Sequence, residues 1–397
     1  MKNHESLFAL LLLVSPLLSA CGSEGRADTS WTGSIDTLTS GQIVVRNTAD
    51  PVWREGSAWR VEEEARIGSP DGTGPDVFGR ISSLEVDRGG RIWVMESQAQ
   101  ELRVFGPAGE HVRTVGRRGQ GPGEFAQVAK VELGPDGNLW AMDPQNNRVS
   151  VFDTAGAYLE AKHAAGGFMI FPWPGRFDDA GHYYAPVPLP GDGFRVGMVR
   201  HDREMNPLDT LETPEDPVER AFFEHRSERG AMMAGVPFSG GLDWKVSPSG
   251  TIWALVTDQY RLFELGADGD TLRTITRAFT PLPVTEEDRA RAREDMKWFT
   301  DQGGRADFSK IPATKPAARN LHFDDEGNVW VDVVTATEDE SSVFDVFDRE
   351  GRYLGQVRMP FRLSTSPRPI FRDGLLYGTV TDDLDVPYVV RARIVKP

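Results

Sequence analysis

Five ionisable residues hold one position of a repeating pattern. Glu85, Glu132, Arg176, Lys245 and His322 each stand five residues before a glycine that opens a Gly-x-x-Trp/Tyr element, at Gly90, Gly137, Gly181, Gly250 and Gly327. Their neighbours are apolar: Leu84 and Val86 flank Glu85, and Val131 and Leu133 flank Glu132. Taken in chain order the set reads acid, acid, base, base, histidine. Two chemistries suit such a set. Ion pairs between neighbouring units, beside trapped water, would satisfy buried charge. A polar site for a small charged ligand or ion would use it.

Catalytic chemistry has less to work with. A catalytic zinc needs three or four His, Cys or carboxylate ligands with one open position. Of the 7 histidines, only His322 holds the recurring position. His182 precedes a strand in a turn, and His111, His163, His201 and His225 fall in outer strands or connections. No Gly-x-Ser-x-Gly elbow is present. The acidic turns Asp324-Asp325-Glu326 and Asp382-Asp383 with Asp385 lack EF-hand spacing, so they read as solvated turns. No metal, cofactor or catalytic residue is assigned on this reading.

The elements that position the five residues come from an internal repeat. Gly74-Pro75-Asp76-Val77-Phe78 and Gly121-Pro122-Gly123-Glu124-Phe125 are offset by 47 residues, and the strands that follow, 81–94 and 128–141, keep the offset. With Gly374/Tyr377 the Gly-x-x-Trp/Tyr element occurs six times, at spacings of 47, 44, 69, 77 and 47 residues. Each copy continues into a second hairpin with a polar turn, as in 103–116, 150–161, 261–275 and 345–357. Four short strands in a unit of about 40 to 50 residues are the mark of a β-propeller. The expectation is an all-β, six-bladed β-propeller of four-stranded blades. Its last unit lacks an outer strand, and 59–67 precedes the first unit where an outer strand belongs. An N-terminal strand closing the last blade would remove the open sheet edges.

Residues 115–153 resemble an NHL repeat through Gly121-Pro122-Gly123-Glu124-Phe125, the Asp136-Gly137-Asn138 turn and Asn147-Arg148. Residues 67–114 resemble it in part, and 60–397 is similar to the wider class of bacterial six-bladed propeller lipoproteins, TolB-like propellers among them. Some relatives of this architecture are lyases or lactonases with a channel metal. The resemblance therefore also implies an extracytoplasmic enzyme as an alternative.

The two long spacings hold insertions, 212–242 and 279–318, expected to be partly helical and to roof one mouth of the channel. Residues 216–228 read as a short helix, and Thr285 reads as an N-cap with Asp288 three residues on. Phe222, Phe223, Met232, Met233, Trp298 and Phe299 are their candidate binding side chains, or else the residues that seal them to the ring.

The N-terminus carries an address. Residues 6–18 form an apolar run too short to span a bilayer, after Lys2 and before Ser19-Ala20, as in a signal peptide. Leu18-Ser19-Ala20-Cys21 resembles the bacterial lipobox and uses the chain's 1 cysteine. That resemblance implies removal of residues 1–20 and a lipid on Cys21, with Gly22 favouring an outer membrane where one exists. Residues 21–50 then read as a flexible tether and 51–397 as the propeller. A formal charge of −16 makes nucleic acid an unfavourable partner. The function expected is a membrane-anchored binding or scaffold protein of the cell envelope, presenting a propeller face to a protein, peptide or glycan.

Overall fold

The computed structural model describes residues 31–54, 56–163, 176–189, 195–227, 230–336 and 341–397. The apolar run and Cys21 lie outside the described residues. The molecule is an all-β, six-bladed propeller. Blade 1 is the antiparallel meander Ile81–Val86, Ile92–Glu96, Glu101–Phe105 and His111–Val115. Blades 2, 4 and 5 repeat it from inner strands Lys130–Leu133, Leu242–Val246 and Ala318–Phe323. In blade 3 three strands follow an inner contact reduced to the single bridge Phe177 to Tyr183. Blade 6 runs Ile370–Arg372, Leu375–Thr381 and Pro387–Val395, and its outer strand is Arg60–Ile67. The ring therefore closes by pairing an early strand with the last one.

The Gly-x-x-Trp/Tyr element builds each blade in the same way. The six turn glycines adopt φ between 69° and 86°, a region where a Cβ is disfavoured. The aromatic three residues on is buried in all six blades, from Trp330 at 0% to Trp253 at 7% exposure. These rings sit between blades. Six buried clusters correspond to the six blade interfaces, and a seventh lies in the insertions. Burying a ring of this size contributes roughly 2–3 kcal/mol, so the interfaces dominate the hydrophobic stabilisation.

Residues 34–47, expected within a flexible tether, are folded. Ser34–Thr37 and Ile43–Asn47 form a hairpin, and Ile43–Asn47 pairs parallel to the outer strand of blade 4, Thr271–Arg277. Alternation explains it: Val45 is fully buried against Ile275 while Arg46 points to solvent. The Ser, Thr and Gly content of the segment masks this short apolar pattern. From the hairpin, Val52 and Trp53 hydrogen-bond along the outer strand of blade 5 before the chain reaches blade 6. Residues 31–67 thus form a belt around the outside of three blades.

The first insertion corrects a second expectation. Residues 222–235 form a β-hairpin, Phe222–Ser227 with Gly230–Gly235, instead of a helix. The period is two: Phe223 is buried, whereas Phe222 and Glu224 face outward. The second insertion is helical, over Glu286–Asp295 and Lys297–Asp301, and starts at a full capping box between Thr285 and Asp288.

Candidate functional site

Antiparallel blades sort their loops onto two faces. Inner strands begin, and second strands turn into third strands, on what we call the upper face. The Gly turns and the third-to-fourth turns lie on the lower face. A cavity of about 2060 Å³ runs along the axis between them. All five recurring residues, Glu85, Glu132, Arg176, Lys245 and His322, line it. The equivalent position in blade 6 is Pro369, which also lines the cavity.

The five are not satisfied alike. Glu132 accepts a hydrogen bond from Lys130 Nζ at 2.8 Å and another from the Phe177 amide at 2.9 Å. Glu85 accepts from the Val86 amide and lies 3.5 Å from Arg372 Nη1. Burial raises the Glu85 carboxyl above the ordinary glutamate range, and the Arg372 charge opposes that shift. On the other side of the ring, Lys245 Nζ meets His322 Nδ1 at 3.2 Å. Burial pushes His322 down to about 3, so its ring is neutral and accepts from the ammonium. Arg176 donates from Nε to its neighbour's carbonyl, Phe177 O, at 3.1 Å. Neither Arg176 nor Lys245 has a carboxylate within ion-pair distance among the described residues.

The upper mouth is partly closed by the loop before blade 6. Arg368 reaches Asp243, at the start of the blade 4 inner strand, and residues 364–369 line the cavity. The insertions stand on the same upper face but do not roof the channel: no described residue of 212–242 or 279–318 lines it. They pack on each other instead. Phe223, Ala234, Ala292, Met296, Phe299 and Ile311 form a separate core, with Met232 and Phe308 against it. Arg220 fastens this cap to the blade 4 turn through both oxygens of Asp258, at 2.7 and 3.0 Å, and Lys315 pairs with Asp288 at 2.7 Å. Of the six candidate side chains in the insertions, Phe223, Phe299 and Met232 serve this core. Phe222, Met233 and Trp298 remain 50%, 57% and 50% exposed.

Several residues that matter here gave no repeat signal. Lys130, Arg372 and Arg368 lie off the recurring position, and each takes a partner on it or across the channel. One constellation was legible and went unread: an acid three residues before the turn glycine receives the aromatic six residues on. Asp87 accepts from Trp93 Nε1 at 3.0 Å, Asp324 from Trp330 Nε1 at 2.9 Å and Asp178 from the Tyr184 hydroxyl at 3.0 Å. In blade 2 the acid is replaced by Gly134, and Trp140 Nε1 is left without a partner.

The comparisons with known proteins agree on architecture. A family described as a 6-bladed beta-propeller matches residues 76–209. No curated protein matches the chain. Among solved structures, a Bacteroides fragilis protein described as exported is similar at 12% identity, with a TM-score of 0.50, over 89% of this chain and 100% of that one. Virginiamycin B lyase from Staphylococcus aureus is similar at 10% identity and a TM-score of 0.42, over 85% and 100% of the two chains. A gluconolactonase from Xanthomonas campestris is similar at 12% identity and a TM-score of 0.41, over 80% and 88%.

Proposed function

We propose that this propeller is an extracytoplasmic binding protein, held at a membrane through a lipid on Cys21, that offers its capped upper face to a protein, peptide or glycan partner. The cap carries the reading. Two insertions absent from the regular blades share one small core, are fixed to blade 4 by the Arg220–Asp258 pair, and leave Phe222, Met233 and Trp298 about half exposed. Large apolar side chains held in the open on a rigid base favour recognition over internal packing. The lyase- or lactonase-like alternative has less support. Among the described residues no group of three or more His, Cys, Asp or Glu side chains is placed to hold a metal ion.

The test uses the full chain in a bacterial host. A photo-crosslinking residue at Phe222, Met233 or Trp298 should give a defined adduct. The same residue at Leu384, 79% exposed on an upper turn of blade 6, should not. Equal labelling at all four positions, or none at the cap, would count against the reading. Incorporation of labelled fatty acid should be lost in Cys21→Ser.

A further inference from the structure

We infer that the central channel binds an oxyanion, the carboxylate, sulfate or phosphate group of a small ligand, between Arg176 of blade 3 and Lys245 of blade 4. This site is separate from the cap and does not depend on the cap's role.

The argument starts from charge. The chain has 60 acidic and 44 basic residues, so carboxylates are in excess for pairing with every cation. Yet Lys245, 9% exposed and lining the cavity, has only a neutral imidazole at its ammonium. One of its three N–H donors is used there. An ammonium removed from water without an anion is unfavourable by several kcal/mol. Arg176 holds the same register position on the adjoining inner strand. The two blades touch directly at this level, through Asp179 N to Pro248 O at 2.7 Å. Its guanidinium spends Nε on a backbone carbonyl and leaves the Nη donors for another group.

The carboxylates that could neutralise the pair are engaged elsewhere. Glu132 holds Lys130, Glu85 faces Arg372, and Asp178 accepts from His182 and Tyr184. Residues 164–175, which lead into Arg176, contain no acidic residue at all. One wall of the channel is thus neutralised internally, and the wall of blades 3 and 4 presents two cations to the lumen. His322 orients the ammonium without adding charge. A guanidinium fork beside a point cation suits a bidentate oxyanion.

The experiment follows thermal unfolding of the purified full chain against sulfate, and separately citrate, at constant ionic strength. Sulfate also stabilises proteins generally, so saturation and the variants decide the outcome. Wild type should show a saturable rise in midpoint. Lys245→Met and Arg176→Gln should each need at least about tenfold more anion for the same shift, and the remote control Arg60→Gln should match wild type. Sulfate and citrate acting alike indicate a general oxyanion site, and citrate acting alone indicates a carboxylate ligand. An equal response in wild type and both channel variants, or no saturable response in wild type, overturns the proposal. Crystals soaked in selenate answer it without any variant. An anomalous peak bridging Arg176 and Lys245 Nζ supports the site, and soaked crystals with no peak there refute it.

Discussion

Arg368 Nη2 lies 2.8 Å from Asp243 Oδ1, so the loop before blade 6 is tied to the inner strand of blade 4, two blades away. The second oxygen of Asp243 accepts the Leu321 amide of blade 5 at 2.9 Å. One buried carboxylate thereby joins three blades at the upper mouth. Burial raises its pKa and Arg368 opposes the rise. Replacing Arg368 by Met should leave this charge uncompensated and cost roughly 3 kcal/mol at neutral pH. Chemical denaturation of wild type and variant checks it, and the double variant with Asp243→Asn should recover part of the loss.

Asp332 makes an opposite prediction. It sits on the second strand of blade 5, pushed up to about 6 by burial, with Arg319 at 3.5 Å and Arg362 nearby pulling the other way. Its Oδ1 has no hydrogen-bond partner. An unfolded aspartate releases its proton near pH 3.9, so the folded state loses stability as pH rises from there through about 6, by up to roughly 3 kcal/mol. Asp332→Asn should stabilise the protein by roughly 1–3 kcal/mol at pH 7.5 and have little effect at pH 4. Unfolding curves at the two pH values measure the difference.

Asn47 fastens the N-terminal belt. Its Nδ2 donates to Thr276 O and Gly351 O, and its Oδ1 accepts from Trp31 Nε1 and the Tyr353 amide. Asn47→Ala should cost roughly 2–4 kcal/mol in the attachment of the hairpin. Proteolysis between residues 31 and 50 should then accelerate while cleavage within the blades does not. Unchanged protection of the hairpin would show that the parallel strand pairing alone suffices.

The folded hairpin also shortens the tether. Ten peptide links separate Cys21 from Trp31, a reach of at most about 35 Å. Ser34–Thr37 runs antiparallel to Ile43–Asn47, which is parallel to Thr271–Arg277, so the chain leaves the body on the upper face, at the rim of blade 4. Neutron reflectometry of the lipidated protein on a supported bilayer should find the body within that distance. A longer gap would argue against attachment at Cys21.

The blades were legible because the same physical need recurs in each. A tight turn needs a glycine at positive φ, and an interface needs a large ring three residues later. That periodicity located the channel position and the closing strand at Arg60–Ile67. What repeats only once left no pattern to read. Val45 is one buried residue in a polar segment, and the Phe222–Ser227 hairpin has helix-compatible composition until Gly230–Gly235 pairs with it. Partners such as Arg372 for Glu85 and Arg368 for Asp243 are distant in sequence, and no local rule joins them. The pairing state of the five channel residues, which divides the ring into a neutralised and a cationic wall, was therefore invisible beforehand.

The seam between Arg60–Ile67 and Pro387–Val395 also sets the order in which the molecule is completed. A strand made early must wait for the strand made last, across more than three hundred residues of intervening chain. Such a distant pairing is among the slowest contacts to form. Throughout synthesis and export the five preceding blades exist as an arc, with bare strand edges at both ends that invite association with other chains. Loss of the final dozen residues would convert a closed topology into an open one, a change of kind that the small number of atoms removed does not suggest.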